Sequence, residues 1–184
     1  MRRDKATSTA DPFLWHVLKC LLFASLLLGA DVALAEDDAV FRFRGADYVA
    51  TGSHVVRHLT WSSKLPFDKS YAELTASQQA YIRDQYTGLS PEEVPPFPVD
   101  GLRAIFRIVD KSADQLVGRP EIGPLVAVAK VDESGAALSV SVFKTPSAAA
   151  TAAISYALMN TEFKPARRSG TPVAMDYLLS VELN

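Results

Sequence analysis

Two histidines four residues apart, His54 and His58, are the first candidates for chemistry in this chain. On a helix that spacing sets both imidazoles on one face, where they can share a metal ion. The residues around them, Val55, Val56, Leu59, Thr60 and Trp61, favour a strand instead. There, positions four apart are separated by about 13 Å. No glutamate follows His54 as it does in zinc proteases, and no third ligand stands out, so both are read as solvent-facing histidines. Ser53 beside His54 lacks the glycine-flanked turn that exposes a nucleophilic serine. Glu92 and Glu93 adjoin prolines and read as solvated loop charges, not as an acid/base pair. No glycine loop able to cradle a phosphate is present. Trp61, Phe67, Tyr71, Tyr81 and Tyr86 could line a ligand groove, but aromatics so closely spaced fit the core of a small domain better. Arg167 and Arg168, beside Gly170, read as a solvated turn. The sequence therefore points away from an enzyme, and it calls for no cofactor and no metal.

Charge and cysteine content narrow the classes further. Nineteen Lys and Arg stand against 21 Asp and Glu, a net charge of −2. Nucleic-acid binding, which needs clustered cations to displace counterions from phosphates, is not expected. The single cysteine, Cys20, rules out an intramolecular disulfide and a multi-cysteine metal site. At 184 residues, 48% of them hydrophobic, the chain can build a real core.

The first 35 residues have the parts of a secretory signal peptide. Arg2, Arg3, Lys5 and Lys19 precede a short apolar run, Cys20 to Ala30, and Ala33-Leu34-Ala35 supplies a small-x-small cleavage site before Glu36-Asp37-Asp38. The run is shorter than the roughly 20 apolar residues of a spanning helix, and Asp31 ends it. Cleavage after Ala35 and release into the periplasm are expected. An uncleaved segment, anchoring the chain in the inner membrane, is the alternative. Cys20 opens the apolar run instead of following it, which makes a poor lipoprotein acylation site.

Positioning elements follow from periodicity. Val40–Arg44 and Val55–Trp61 read as short strands. A helix follows over Gln78–Tyr86, capped by Thr75 or Ser77, striped by Tyr81, Ile82 and Tyr86, and closed by Gly88. Ser90–Pro98 is proline-dense and reads as an extended joint. A helix is expected over Leu102–Leu116, with Leu102, Ile105, Phe106, Val109 and Leu116 on one face, broken by Gly118-Arg119-Pro120. Residues 124–132 and 137–144 alternate around the turn Glu133-Ser134-Gly135 and make a hairpin. In its second strand Leu138, Val140 and Val142 share a face. An alanine-rich helix runs from Pro146-Ser147 to Met159, burying Ala150, Ile154, Ala157 and Leu158. A last strand, 172–183, alternates Val173, Met175, Tyr177, Leu179, Val181 and Leu183 with the remaining positions. Helix, strand, strand, helix, strand makes an α+β domain: a small antiparallel three-stranded sheet with helices packed on one face. Residues 36–93 form an N-terminal extension to it.

Residues 94–184 resemble the C-terminal domain of TonB energy transducers. The similarity lies in Gly123-Pro-Leu125-Val-Ala127-Val-Ala-Lys-Val131 leading to Gly135, and in Glu162-Phe163-Lys164-Pro165-Ala166 leading to Gly170-Thr171-Pro172-Val173. Phe97-Pro98 before a helix is similar to the start of that domain. The resemblance implies a periplasmic adaptor without enzymatic activity. Its partner would be an envelope protein such as an outer-membrane transporter or a lipoprotein, bound as an extended peptide added to a free sheet edge. Mapped by motif position, that edge is the last strand, with Val173, Met175, Tyr177, Leu179 and Val181 as its binding residues. Strand-exchanged homodimers are a further partner the family implies. The short proline-rich piece and the cleavable leader depart from a full transducer, which has an anchor and a long spacer. A membrane-anchored transducer is therefore the second reading. A small-ligand carrier or enzyme built on the aromatics of residues 36–93 is the third.

Overall fold

The structure is a computed structural model that describes residues 39–49, 56–111 and 122–184. The expected leader and its expected cleavage site, Cys20, Ser53, His54 and the expected helix end and break at residues 112–120 lie outside the described residues. Residues Asp37–Asn184 cluster as one compact unit.

Nine strands and three α-helices are described. They are β1 (Phe41–Val49), β2 (Val56–Ser63), α1 (Ala76–Arg83), β3 (Phe97–Pro98), α2 (Leu102–Lys111), β4 (Gly123–Val131), β5 (Ala137–Lys144), α3 (Ala148–Met159), β6 (Phe163–Lys164), β7 (Ala166–Arg168), β8 (Thr171–Val173) and β9 (Met175–Leu183). The main sheet has the order β1-β2-β9-β4-β5, and every pairing in it is antiparallel. The fold is thus α+β, as expected. The sheet has five strands where three were expected, because β1 and β2 from residues 36–93 extend it.

Period-two alternation builds the core face. Leu125, Ala127, Ala129 and Val131 of β4 and Tyr177, Leu179, Val181 and Leu183 of β9 are all buried. Positions between them on β9 (Asp176, Ser180 and Glu182) are exposed. One face of an antiparallel sheet can stay wet while the other packs. On α2, Leu102, Ile105, Phe106 and Val109 sit three or four residues apart and are buried. On α3, the expected stripe Ala150, Ile154, Ala157 and Leu158 is buried, joined by Ala153. The Ser147 hydroxyl caps α3 by accepting from the Ala150 N–H at 3.1 Å. Of the two candidate caps for α1, the structure uses Thr75. It accepts from the Gln78 N–H at 3.3 Å, while the Gln78 side chain returns a bond to the Thr75 N–H at 3.0 Å. That helix ends at Arg83, one turn earlier than the periodicity suggests, and Gly88 lies beyond it with φ +76°.

Two corrections concern β5 and the proline-rich joint. Register shifts between Val126 and Ala127, and between Lys130 and Val131, leave Leu138 and Phe143 out of step with β4. Leu138 is exposed, while Val140 and Val142, expected on the same face, are half-buried. Such bulges shorten the regular edge and twist it away from a partner strand. Residues 90–98 are extended, as expected, but they are packed into the molecule: Pro95, Pro96 and Pro98 are fully buried. Phe97-Pro98 pairs with Phe163-Lys164, and Val94 bridges to Arg167. Ring contacts of 6.0 to 6.1 Å from Phe97 to Tyr71 and Tyr177 anchor the segment from the side-chain side.

Candidate functional site

The last strand, expected at an edge, is an inner strand. On one side β9 pairs with β4 along its whole length, from Met175 opposite Val131 to Leu183 opposite Gly123. On the other side it meets β2, with Trp61 opposite Leu183 and Ser62 opposite Glu182. Of the five proposed binding residues, Tyr177, Leu179 and Val181 point into the core and are 3%, 1% and 6% exposed. A partner cannot read these three side chains from outside. Met175 and Val173 are half-buried, and Val173 belongs to the separate β7–β8 hairpin. The alternation seen in the sequence is real, but it marks the core face.

What remains open on β9 is backbone. Asn184 and Thr60 exchange both N–H···O=C bonds, at 2.8 and 3.0 Å. Backbone groups alternate in direction along a strand, so Glu182, Ser180, Leu178 and Asp176 also present theirs toward β2. β2 leaves the sheet at Ser63, after pairing only with the last residues of β9. Among the described residues, no strand neighbours this side of β9 from Ser180 down to Asp176. Tyr86 occupies its lower end. Its hydroxyl donates to the Asp176 carbonyl at 2.9 Å and accepts from the Leu178 N–H. Burial, the larger influence, pushes the Tyr86 phenol up, so the hydroxyl stays protonated and able to donate. Among the described residues, the Leu178 carbonyl and both backbone groups of Ser180 have no strand partner.

A second structured point lies below this edge, where sequence reading placed two solvated features. Glu93 is 5% exposed, not solvated. Its carboxylate accepts from the Ser90 N–H at 2.9 Å and from Arg168 Nε. Arg83, from the last turn of α1, donates to the Glu93 and Ser90 carbonyls. α1, the proline-rich segment and the β7–β8 hairpin are thereby clasped together. The spacing Ser90-x-x-Glu93, a capping-box pattern, was the signal for this clasp. Arg168 is thus a clasp residue, whereas the Arg167 side chain bonds the Gly170 carbonyl of its own hairpin at 3.0 Å.

The Ser90 N–H first, and Arg168 second, hold the Glu93 carboxyl below its usual range. The folded state favours the anion. Stability from this clasp is therefore full above the unfolded carboxyl value of about 4.3 and is lost as pH falls through the lower folded value. Glu93→Gln is expected to lower the urea midpoint at pH 7 and to make its decline between pH 5 and pH 3 shallower. Asp132 and Glu73, also held low by hydroxyl and backbone donors, keep some acid slope in the variant. An unaltered acid slope in Glu93→Gln would show that the clasp is not linked to protons.

The remaining candidates are dispersed. Trp61 and Phe67 pack with Phe43 and Phe106, ring centroids 4.8 to 6.0 Å apart, so they fill the core with one another. The Trp61 indole N–H is buried and has no hydrogen-bond partner among the described residues. Tyr71 rests on Phe97, Tyr81 lies under the Lys64 ammonium at 5.6 Å, and Tyr86 is at β9. His58 lies within β2, in strand conformation. Among the described residues, no group of three or more His, Cys, Asp or Glu could hold a metal ion, and no helix is long and apolar enough to cross a membrane.

Comparison with protein-family models, curated proteins and solved structures finds no match to this chain.

Proposed function

We propose that this protein is a non-enzymatic binding module of the cell envelope. It takes up an extended segment of another envelope protein as an added strand beside β9. The observation that carries this reading is the early departure of β2, which leaves the Leu178 carbonyl and the Ser180 N–H and carbonyl facing a gap in the sheet. Backbone groups aimed into a gap are a template for an incoming strand, which supplies main-chain hydrogen bonds while pockets on either side select its side chains. Opposite the core face, Ser180 is exposed and Val126 and Val128 are half-buried, short side chains beside the gap. The resemblance of residues 94–184 to TonB C-terminal domains supports an envelope partner of the outer-membrane transporter or lipoprotein kind. The leader-like residues 1–35 support export to the periplasm.

The reading is tested by amide hydrogen exchange of the chain, alone and mixed with detergent-solubilised outer-membrane proteins. The Ser180 amide is expected to exchange within the fast class when free and to slow by at least about tenfold when a strand is added. Slowing confined to β1 or β5, or none at any amide, would remove β9 as the binding edge.

A further inference from the structure

The gap beside β9 is short. Among the described residues, it offers the Leu178 carbonyl and the N–H and carbonyl of Ser180, little more than one residue's pairing. Strands in sheets commonly run to about five residues. An incoming strand of that length must extend beyond the gap. Upward it meets Glu182, which already faces Ser62 of β2. Downward it meets the Leu178 N–H and the Asp176 carbonyl, both held by the Tyr86 hydroxyl, which donates to that carbonyl at 2.9 Å. One donor for the carbonyl of residue 176 and one acceptor for the N–H of residue 178 are what a single residue of a parallel neighbour would supply opposite Tyr177. The phenol thus takes the place of a piece of strand.

Tyr86 is carried by a loop with a fixed base and a loosely held tip. α1 ends at Arg83, and the N–H of its cap residue Asp84 still bonds the Ala80 carbonyl at 2.9 Å. Arg83 donates to the Ser90 and Glu93 carbonyls, so one guanidinium pins the two ends of residues 84–89 together. Every residue from Arg83 to Glu92 is exposed or half-buried. The Tyr86 ring packs at the margin of the core and is itself half-buried. A segment that buries so little apolar surface opens at low cost. Gly88, two residues on, has φ +76° and nothing within 4 Å of its Cβ position, so the backbone there is free to turn. Opening also conserves hydrogen bonds once a strand arrives. The strand gives Asp176 and Leu178 the bonds the phenol gave, and water takes the phenol.

We propose that Tyr86 is a displaceable plug on the β9 edge. Loop 84–89 swings out on its clasped base, and the Asp176 carbonyl and Leu178 N–H pass to the same incoming strand that first meets Ser180. Resting on the reading of β9 as a strand-accepting edge, this plug sets how far pairing can extend along it. In the empty protein the plug blunts the edge, which would otherwise be a template for unrelated strands. The Arg83–Glu93 clasp gains a second use, since it holds the base of the loop while the tip moves.

Native-state hydrogen exchange of the full chain across low urea concentrations tests the plug without a partner. The Leu178 amide is expected to exchange through a local opening insensitive to urea, ahead of the Leu179 and Val181 amides, which face β4. Exchange of Leu178 together with those two, only by global unfolding, overturns the plug and makes Tyr86 a fixed part of the core. Tyr86→Phe keeps the ring and deletes both bonds. It is expected to speed Leu178 exchange at least about tenfold and to leave Leu179 and Val181 unchanged. Equal acceleration of all three amides overturns the plug as well, because it reports a general loss of stability. Detergent-solubilised outer-membrane proteins are the probe for the bound state. Half-maximal slowing of Ser180 is expected at about tenfold lower probe concentration in Tyr86→Phe than in the wild-type chain, since no plug has to be displaced. Slowing of Ser180 at the same concentration in both proteins overturns the plug and leaves the edge reading intact. No slowing of Ser180 in either protein defeats the edge reading, and the plug with it.

Discussion

Gly135→Ala is expected to cost about 4 kcal/mol of folding stability and to lower the melting temperature by roughly 10 °C. Gly135 ends the β4–β5 turn at φ +89°, where an L side chain is strained. Space is the harsher constraint. A Cβ here would lie 2.0 Å from the Phe163 carbonyl oxygen and 3.1 Å from its carbon, which are backbone atoms and cannot swing aside. The two segments must be this close because the Phe163 N–H bonds the Gly135 carbonyl at 3.1 Å. Alanine would force turn and β6 apart, and with β6 the pairing that seats Phe97 and Pro98. Left-handed strain alone accounts for about 1–3 kcal/mol, and displaced backbone contacts supply the rest. Chemical denaturation of the variant decides the matter, with Gly88→Ala as control. Gly88 has a positive φ too, but nothing lies within 4 Å of its Cβ position, so only the strain is lost there. If both variants lost equal stability, close approach at Gly135 would not be the cause.

Phe106→Ala carries the other large expectation, a loss of about 3–5 kcal/mol. Phe106 is fully buried on α2, and its ring touches those of Phe43, Trp61 and Phe67, at 6.0, 4.8 and 5.4 Å. Those three come from β1, from β2 and from the segment after it. The ring is therefore the hinge-pin by which residues 36–93 hold to the rest of the unit. Removing it leaves a cavity between rigid rings that cannot collapse fully. Phe106→Leu, which keeps most of the volume, is expected to lose less than half as much. Hydrogen exchange gives the second readout: amides of β1 and β2 should open ahead of those of β4 and β9 in Phe106→Ala. Uniform opening across all strands would mean that the N-terminal hairpin is held by β9 alone.

Much of the arrangement was legible in local pattern. Helical spacing of Leu102, Ile105, Phe106 and Val109 groups the side chains that the structure buries, and period two in residues 124–132 and 172–183 is kept in β4 and β9, although Tyr177, Leu179 and Val181, expected to bind a partner, are core. Those signals are strong because a wrong register would turn a whole apolar face to water. The Thr75 cap and the turn at Gly135 were also readable, since each depends on residues within a few positions of it. The role of Glu93 was legible only in part: the Ser90-x-x-Glu93 spacing marks its local bond, but its partner Arg168 is distant along the chain.

Which side of β9 is free could not be read from β9 at all. A strand's sequence states which face is apolar, and so the alternation Met175, Tyr177, Leu179, Val181, Leu183 announced a buried face. Hydrogen-bonding edges carry no such signature, because N–H and C=O groups are the same in every residue. Whether they meet another strand depends on where a distant segment travels. Here β2 arrives from residues before position 64, pairs with the end of β9 and departs. The sequence by itself determined the elements and the core face, both set by local side-chain chemistry. The tertiary structure alone decided that the last strand lies inside the sheet, that a short gap remains beside it, and that Glu93 is a buried clasp, because each depends on contacts between segments far apart in the chain.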